Sequence, residues 1–360
     1  MSVVDKDAAA PAAASASPAA PAAKQSPSWR LLLDAKWRWY EFAFWLCAAA
    51  SFWVFPRKLM LLSEIFILGL LALSIDLVLG FAGLVTLGQG AFFGIGAYAA
   101  GLMAQAGMGA APLSDPLLGL LVAGLVAGLV GFATSFLVLR GSDLTRLMVT
   151  LGVALIVEEL IVKFKDITGG SDGLQGVLSS PVLGLWSFDL FGYTAFWYSL
   201  TVTFVIFLFC RRLIHSNYGL SLLAIKGNPL RARTIGMPVN ARLVSIYTIA
   251  AAIAGVSGGL LTQTTQFASP DMAAFHRSAD ALLILIFGGA GYLYGGLLGA
   301  VAFRVMQDFL GNITPQYWLF YVGLVLVLLV LFVRGGIIGL MMAMRDKISP
   351  RDDKDAGGRQ

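Results

Sequence analysis

Charge is scarce in this chain of 360 residues: Asp, Glu, Lys and Arg together make up 12% of it. A soluble domain needs roughly twice that share to cover its core, so an ordinary globular protein in water is excluded. Cysteine is limited to Cys47 and Cys210, which are too few and too far apart for a disulfide framework or a thiolate metal site. Histidine is limited to His215 and His276, neither with ligand-spaced neighbours, and both read as ordinary loop polar residues. Neither a metal nor a cofactor is therefore expected. No G-x-x-x-x-G-K-[ST] phosphate loop occurs, so the chain does not hydrolyse ATP by that machinery. H-E-x-x-H and G-x-S-x-G are missing as well, which leaves no catalytic residue to name and argues against an enzyme.

What the chain has instead is apolar length. Hydrophobic residues form 58% of it, and mean hydropathy is +0.81. Apolar runs recur at the roughly 20-residue length that a bilayer demands. The expected fold is an all-α, polytopic transmembrane helical bundle of about eight to ten membrane segments, with Gly-rich helix breaks. The spans read as 41–55, 59–79, 91–107, 117–139, 144–163, 193–210, 243–262, a shorter 279–288, 295–311 and 316–333. Residues 1–40 form an Ala/Pro-rich terminus, expected to be disordered and cytoplasmic, and without the Leu-rich core of a signal peptide. The membrane domain covers 41–335, and 336–360 form a cytoplasmic tail.

The excess of basic residues, a net +5, sits in short loops, which is how charge fixes orientation in a membrane and not a mark of nucleic-acid binding. With the N-terminus inside, 140–146, 211–242 and the tail all fall inside with their arginines, whereas 108–116 falls outside and carries no Lys or Arg. Splitting 279–311 at the glycines keeps the basic tail inside. Arg57 and Lys58 fall on the opposite side, against the rule.

Two stretches, "GFAGLVTLGQG" (80–90) and "GGAGYLYGG" (288–296), are too rich in glycine for uninterrupted helix. Non-helical backbone at membrane depth is tolerated only where protein or a water-filled cavity receives it. Asp76, Thr86, Gln89, Gly288, Gly289 and Gly291 are therefore candidates for a polar translocation pathway. Glu64, Glu158, Glu159 and Asp280 are further carboxylates within spans. Glu158 and Glu159 stand about a turn from Lys163, a spacing suited to a structural pair. Glycines four apart, such as Gly124 and Gly128, read as ordinary close helix packing.

The segment from Arg211 to Arg242 carries six Lys or Arg and no Asp or Glu. Within it, "NPLRARTIG" punctuates a two-turn helix: Asn228 as N-cap, Pro229 at the first position and Gly236 as the left-handed stop. So short a helix is unstable alone, and Leu230, Thr234 and Ile235 suggest a face by which it docks while Arg231 and Arg233 project elsewhere. A docked helix on the cytoplasmic side, in a chain without a motor motif, points to an energy source on another chain.

That segment, "AIKGNPLRARTIG" (224–236), resembles the cytoplasmic coupling loop of permease subunits from ABC importers of the branched-chain amino acid type. "LSIDLVLGFAGLVTLGQGAFFGIGAYAAG" (73–101), "TGGSDGL" (168–174) and "FASPDMAAFHRSADALLILIFGGAGYLYGGLLGA" (267–300) are similar to three further family patterns, in the family's order. The likeness spans about 41–335 and is nearest to the longer of two paralogous permeases. It implies a heteromeric importer in the bacterial inner membrane, with both termini cytoplasmic. A paralogous permease, two ATPase subunits and a periplasmic binding protein would be its partners. Asn228, Pro229, Leu230, Arg231, Ala232, Ile235 and Gly236 would meet the ATPase, whose closure would rock the spans between outward- and inward-open states. Branched-chain amino acids are the implied cargo, with urea, short amides or aromatic acids as alternatives. Gly227 and Arg233 depart from the pattern, standing where many members carry acidic residues. An ion-coupled transporter or channel is the rival class; it calls for inverted repeats, and none is visible.

Overall fold

The computed structural model describes residues 39–106, 115–177, 180–182, 186–189, 191–313, 316–332 and 335–340. The expectations for 1–38, for 107–114 and for the end of the tail lie outside these residues.

Helices dominate, and no strand forms among the described residues. In chain order the α-helices of six residues or more are α1 (Trp39–Val54), α2 (Leu59–Ile75), α3 (Gln89–Ala106), α4 (Pro116–Val138), α5 (Asp143–Lys163), α6 (Tyr193–Ile214), α7 (Asn217–Gly227), α8 (Pro229–Thr234), α9 (Val239–Thr265), α10 (Phe275–Gly288), α11 (Gly295–Ile313) and α12 (Trp318–Phe332). A π-helical turn, Asp76–Phe81, continues α2. Among the described residues, four helical stretches are long and apolar enough to cross a membrane: Leu59–Phe81, Pro116–Val138, Tyr193–Ile214 and Val239–Thr265. At about 1.5 Å per residue, the 14 residues of α10 reach only about 21 Å, well short of a ~30 Å hydrocarbon core. It turns back through the second glycine-rich break into α11, so the two act as a helical hairpin.

The centre of the bundle is α9, which packs on α4, α3 and α2. Backbones approach there as closely as small residues allow: a Cβ on Gly258 would lie 1.8 Å from the Phe93 carbonyl oxygen. In lipid, such packing and interhelical hydrogen bonds replace the hydrophobic drive between helices. Ser257 donates from α9 to the Ile67 carbonyl of α2 at 2.6 Å. Gln263 donates to the Pro116 carbonyl at 2.8 Å and accepts from the Tyr198 hydroxyl at 2.9 Å, joining α9, α4 and α6. The small residues of α4 serve the same end, Gly124 facing Val256 and Gly128 facing Ala252.

Carboxylates inside the bundle find partners across helices. Glu64 on α2 pairs with Arg304 on α11, and Glu41 on α1 pairs with buried Arg211 on α6 at 3.1 Å. Lys58, on the wrong side by the charge rule, lies 2.5 Å from Asp308 and so has a structural reason for its place. The pairing expected of Glu158 and Glu159 with Lys163 does not form; Glu159 is exposed, and helical spacing alone did not bring the side chains together. At the end of the bundle away from α8, the 168–174 and 267–300 patterns meet. Leu174 and Ala268 exchange backbone hydrogen bonds of 2.7 and 3.1 Å, and Asp271 holds His276 and Arg277 at 3.1 and 3.3 Å.

Candidate functional site

The two glycine-rich breaks come together at the α8 end of α2. Asp76 opens the π turn and is fully buried. Its Oδ1 accepts the backbone N–H of Gly291 at 2.7 Å, a contact between residues 215 apart in sequence. Its Oδ2 is buried and has no hydrogen-bond partner among the described residues. Gly80 explains how the breaks approach: a Cβ there would sit 2.1 Å from the Asp76 carboxylate and 2.7 Å from the Gly291 nitrogen. Only a residue without a side chain leaves room.

After the π turn the chain runs without helix from 82 to 88 and re-enters helix at Gln89. Thr150 of α5 accepts the Leu87 N–H at 3.2 Å, and Ser278 of α10 accepts the Gly90 N–H at 2.7 Å. These side chains take up donors that a broken helix leaves over. Gln89 is fully buried, and among the described residues neither of its amide atoms nor the buried Thr86 hydroxyl has a hydrogen-bond partner. A buried polar group without a partner costs about 1–3 kcal/mol, and most are explained by function or by water. Three of the pathway candidates thus share one feature: polar atoms inside the bundle that no described residue satisfies.

Gly288, Gly289 and Gly291 contribute backbone and no side-chain chemistry. Gly289 has φ +109° and Gly291 φ +87°, and it is this left-handed turn that aims the Gly291 N–H at Asp76. The structure therefore joins Asp76 to Gly291 directly. A groove of about 850 Å³ lies elsewhere, on the α4–α9 face among Phe132, Phe136, Arg140, Asn240 and Thr248, and does not touch these residues.

The second candidate cluster is the α7–α8 hairpin. Ser216 caps α7 by accepting the Tyr218 N–H at 3.2 Å. Asn228 ends α7 and starts α8, its Oδ1 accepting the Arg231 N–H at 3.0 Å. Pro229 takes the first helical position. Gly236, at φ +84°, closes the helix with a pair of bonds, Gly236 N–H to Arg233 O at 3.0 Å and Met237 N–H to Ala232 O at 3.1 Å. This is the Schellman arrangement that left-handed glycine permits. The helix divides its residues between two faces. Ala232 is the buried residue, against α7 and α9, whereas Leu230 and Ile235 are 71% and 74% exposed. Thr234 bonds back to Arg231 O at 2.9 Å, and the face carrying Leu230 and Ile235 points away from the rest of this chain. The large aliphatics cannot enter the tight contact that Ala232 makes.

Tyr218 anchors the base of the hairpin, donating to the Arg242 carbonyl at 3.2 Å and lying 2.6 Å from Ser245, with the Arg242 guanidinium 4.9 Å over its ring. Burial raises the Tyr218 hydroxyl above its ordinary pKa, opposed by Ser245 and Arg242. Sequence reasoning missed α7 as a helix and missed Lys226, its next-to-last residue. Lys226 bonds the Gly80 carbonyl within the first break. Burial lowers its pKa, and the Asp76 charge works against that lowering.

The profile of the family described as branched-chain amino acid transport system / permease component matches residues 57–332. The high-affinity branched-chain amino acid transport system permease protein LivM of Escherichia coli is 28% identical over 283 residues, 72% of this chain and 65% of that protein. The chain thus spans slightly under two thirds of that relative's length. The probable branched-chain amino acid transport permease protein LivH of Methanocaldococcus jannaschii is 27% identical over 252 residues, 67% of this chain and 76% of its own. The galactose/methyl galactoside import permease protein MglC of Salmonella typhimurium is 26% identical over 316 residues, 80% of this chain and 88% of its own. No solved structure matches. A family match across most of the bundle, including both breaks and the capped hairpin, leads to one conclusion: the chain belongs to the permease-component family of branched-chain amino acid transport systems.

Proposed function

We propose that this chain is a pathway-forming subunit of an ATP-driven importer, working with a second permease, two ATPase subunits and a substrate-binding protein. The observation that carries the reading is α8. A two-turn helix, capped at both ends and seated on Ala232, presents Leu230, Ile235 and the basic Arg231 outside the bundle. No structural need of this chain explains that display, whereas an ATPase groove would bury it. The α8 end is then cytoplasmic, and the bridged 174–268 end faces the binding protein. Between them, Asp76, Thr86 and Gln89 with the Gly288–Gly291 turn line the route taken by the solute. Branched-chain amino acids are the favoured cargo, by family membership. The likeness to MglC keeps small polar solutes of another kind, sugars among them, as a second reading of the cargo.

Purification from native membranes under mild detergent tests the assembly: an ATPase subunit should accompany the chain, and a stable complex without any ATPase overturns the reading. Arg231→Glu and Gly236→Val should each lower ATPase retention at least fivefold while leaving membrane insertion intact. Uptake of labelled leucine against labelled galactose then separates the two cargo readings.

A further inference from the structure

Lys226 sits where the hairpin and the first break meet. It stands two residues before Asn228, the residue that ends α7 and starts α8, so a displacement of α8 is carried to it with little slack. Its stem lies against Gly83, where a Cβ would be 2.9 Å from Lys226 Cγ and where φ is +73°. Its ammonium bonds the carbonyl of Gly80, across 146 residues of sequence. The alpha carbon of Gly80 in turn packs against both partners of the Asp76–Gly291 contact. One side chain on the hairpin is thereby one residue removed from the junction between the two breaks. The charges also match. Asp76 is fully buried with one carboxylate oxygen unpartnered among the described residues, and the Lys226 ammonium, held on the Gly80 carbonyl, is a cation near it without bonding it directly. Burial disfavours a charged carboxylate and a nearby cation favours it, so moving that cation alters how well the carboxylate is tolerated there.

We propose that Lys226 is the positioning residue through which the α7–α8 hairpin sets the Asp76–Gly291 junction. This rests on reading α8 as the ATPase contact. With Lys226 seated on Gly80, the π turn is fixed, the Asp76 charge is compensated and the breaks stay joined. When the hairpin is drawn away, the ammonium leaves the Gly80 carbonyl, the carboxylate loses its compensation and the junction opens. The state that the ATPase stabilises at α8 is thus linked to the state of the junction by differential stabilisation of two arrangements.

The test uses the full chain with its partners and the variants Lys226→Met, Lys226→Arg, Asp76→Asn and the double Lys226→Met/Asp76→Asn. In thermal unfolding of the purified chain, Lys226→Met should lower the midpoint by several degrees when Asp76 is present and by less than half as much beside Asp76→Asn. Additive shifts overturn the charge link. In vesicles carrying the assembled complex, Lys226→Met should keep ATP hydrolysis within twofold yet cut solute moved per ATP at least fivefold. Lys226→Arg should restore that ratio to within twofold. Equal falls in hydrolysis and transport, with Arg no better than Met, make Lys226 a structural residue only and overturn the proposal. If no ATPase assembles even with the unaltered chain, the importer reading and the coupling role fall together, whereas the unfolding cycle still reports on the contact.

Discussion

The two breaks meet at one point but bring different things to it. The first, from Asp76 to Gly88, supplies side chains: a buried carboxylate and hydroxyl, followed by the buried amide of Gln89 at the start of α3. The second, from Gly289 to Tyr294, supplies backbone: left-handed glycines and an N–H aimed at the carboxylate. One break holds chemistry in place, and the other shapes the space that chemistry faces. Substitution should therefore be felt through side-chain identity in the first and through backbone geometry in the second.

The harshest way to break this contrast is at Gly80, where any side chain meets both breaks. Gly80→Val should cost about 3 kcal/mol or more by overpacking, read as a large drop in the thermal midpoint, whereas Gly227→Val, with open space around it, should cost under about 1 kcal/mol. Asp76 offers a finer cut. Asp76→Ala removes the acceptor and leaves the Gly291 N–H without it, a loss of about 1–3 kcal/mol. Asp76→Asn keeps an acceptor oxygen and should recover at least half of that loss in the same unfolding assay. Gly291→Ala is milder, because a Cβ there meets only ordinary contact and the cost is that of φ +87°, about 1–2 kcal/mol. The smallest effect belongs to Ala290, exposed at the tip of the second break. Ala290→Ser should change stability by less than about 0.5 kcal/mol, and a larger loss there would deny that the second break contributes backbone alone.

Much of the bundle was legible because its signals are local. The run expected at 117–139 is the helix Pro116–Val138, and three residues, Asn228, Pro229 and Gly236, were enough to delimit α8. The glycine content of 80–90 and 288–296 marked both breaks. What stayed hidden depends on distance along the chain. Nothing near Asp76 announces Gly291, and nothing near Lys226 announces Gly80. Helix α7 escaped because it sits in a polar segment taken as one loop, 211–242, and because its apolar Leu222 and Ile225 gain meaning only from the bundle they are buried against. The side of α8 that seats on this chain was not legible, because hydrophobicity points to Leu230 and Ile235 whereas the seat is Ala232. Close approach required the smallest residue, Ala232, and left the larger ones outside.

That exposure has a consequence for how much of the protein a cell would keep. On the reading proposed here, a copy made in excess of its partners displays Leu230 and Ile235 in an aqueous compartment. Exposed aliphatic surface of this kind marks an interaction site or an aggregation liability, and unassembled chains are what chaperones and proteases triage. The abundance of the subunit would then be set by its scarcest partner, with α8 serving as the tally of assembly.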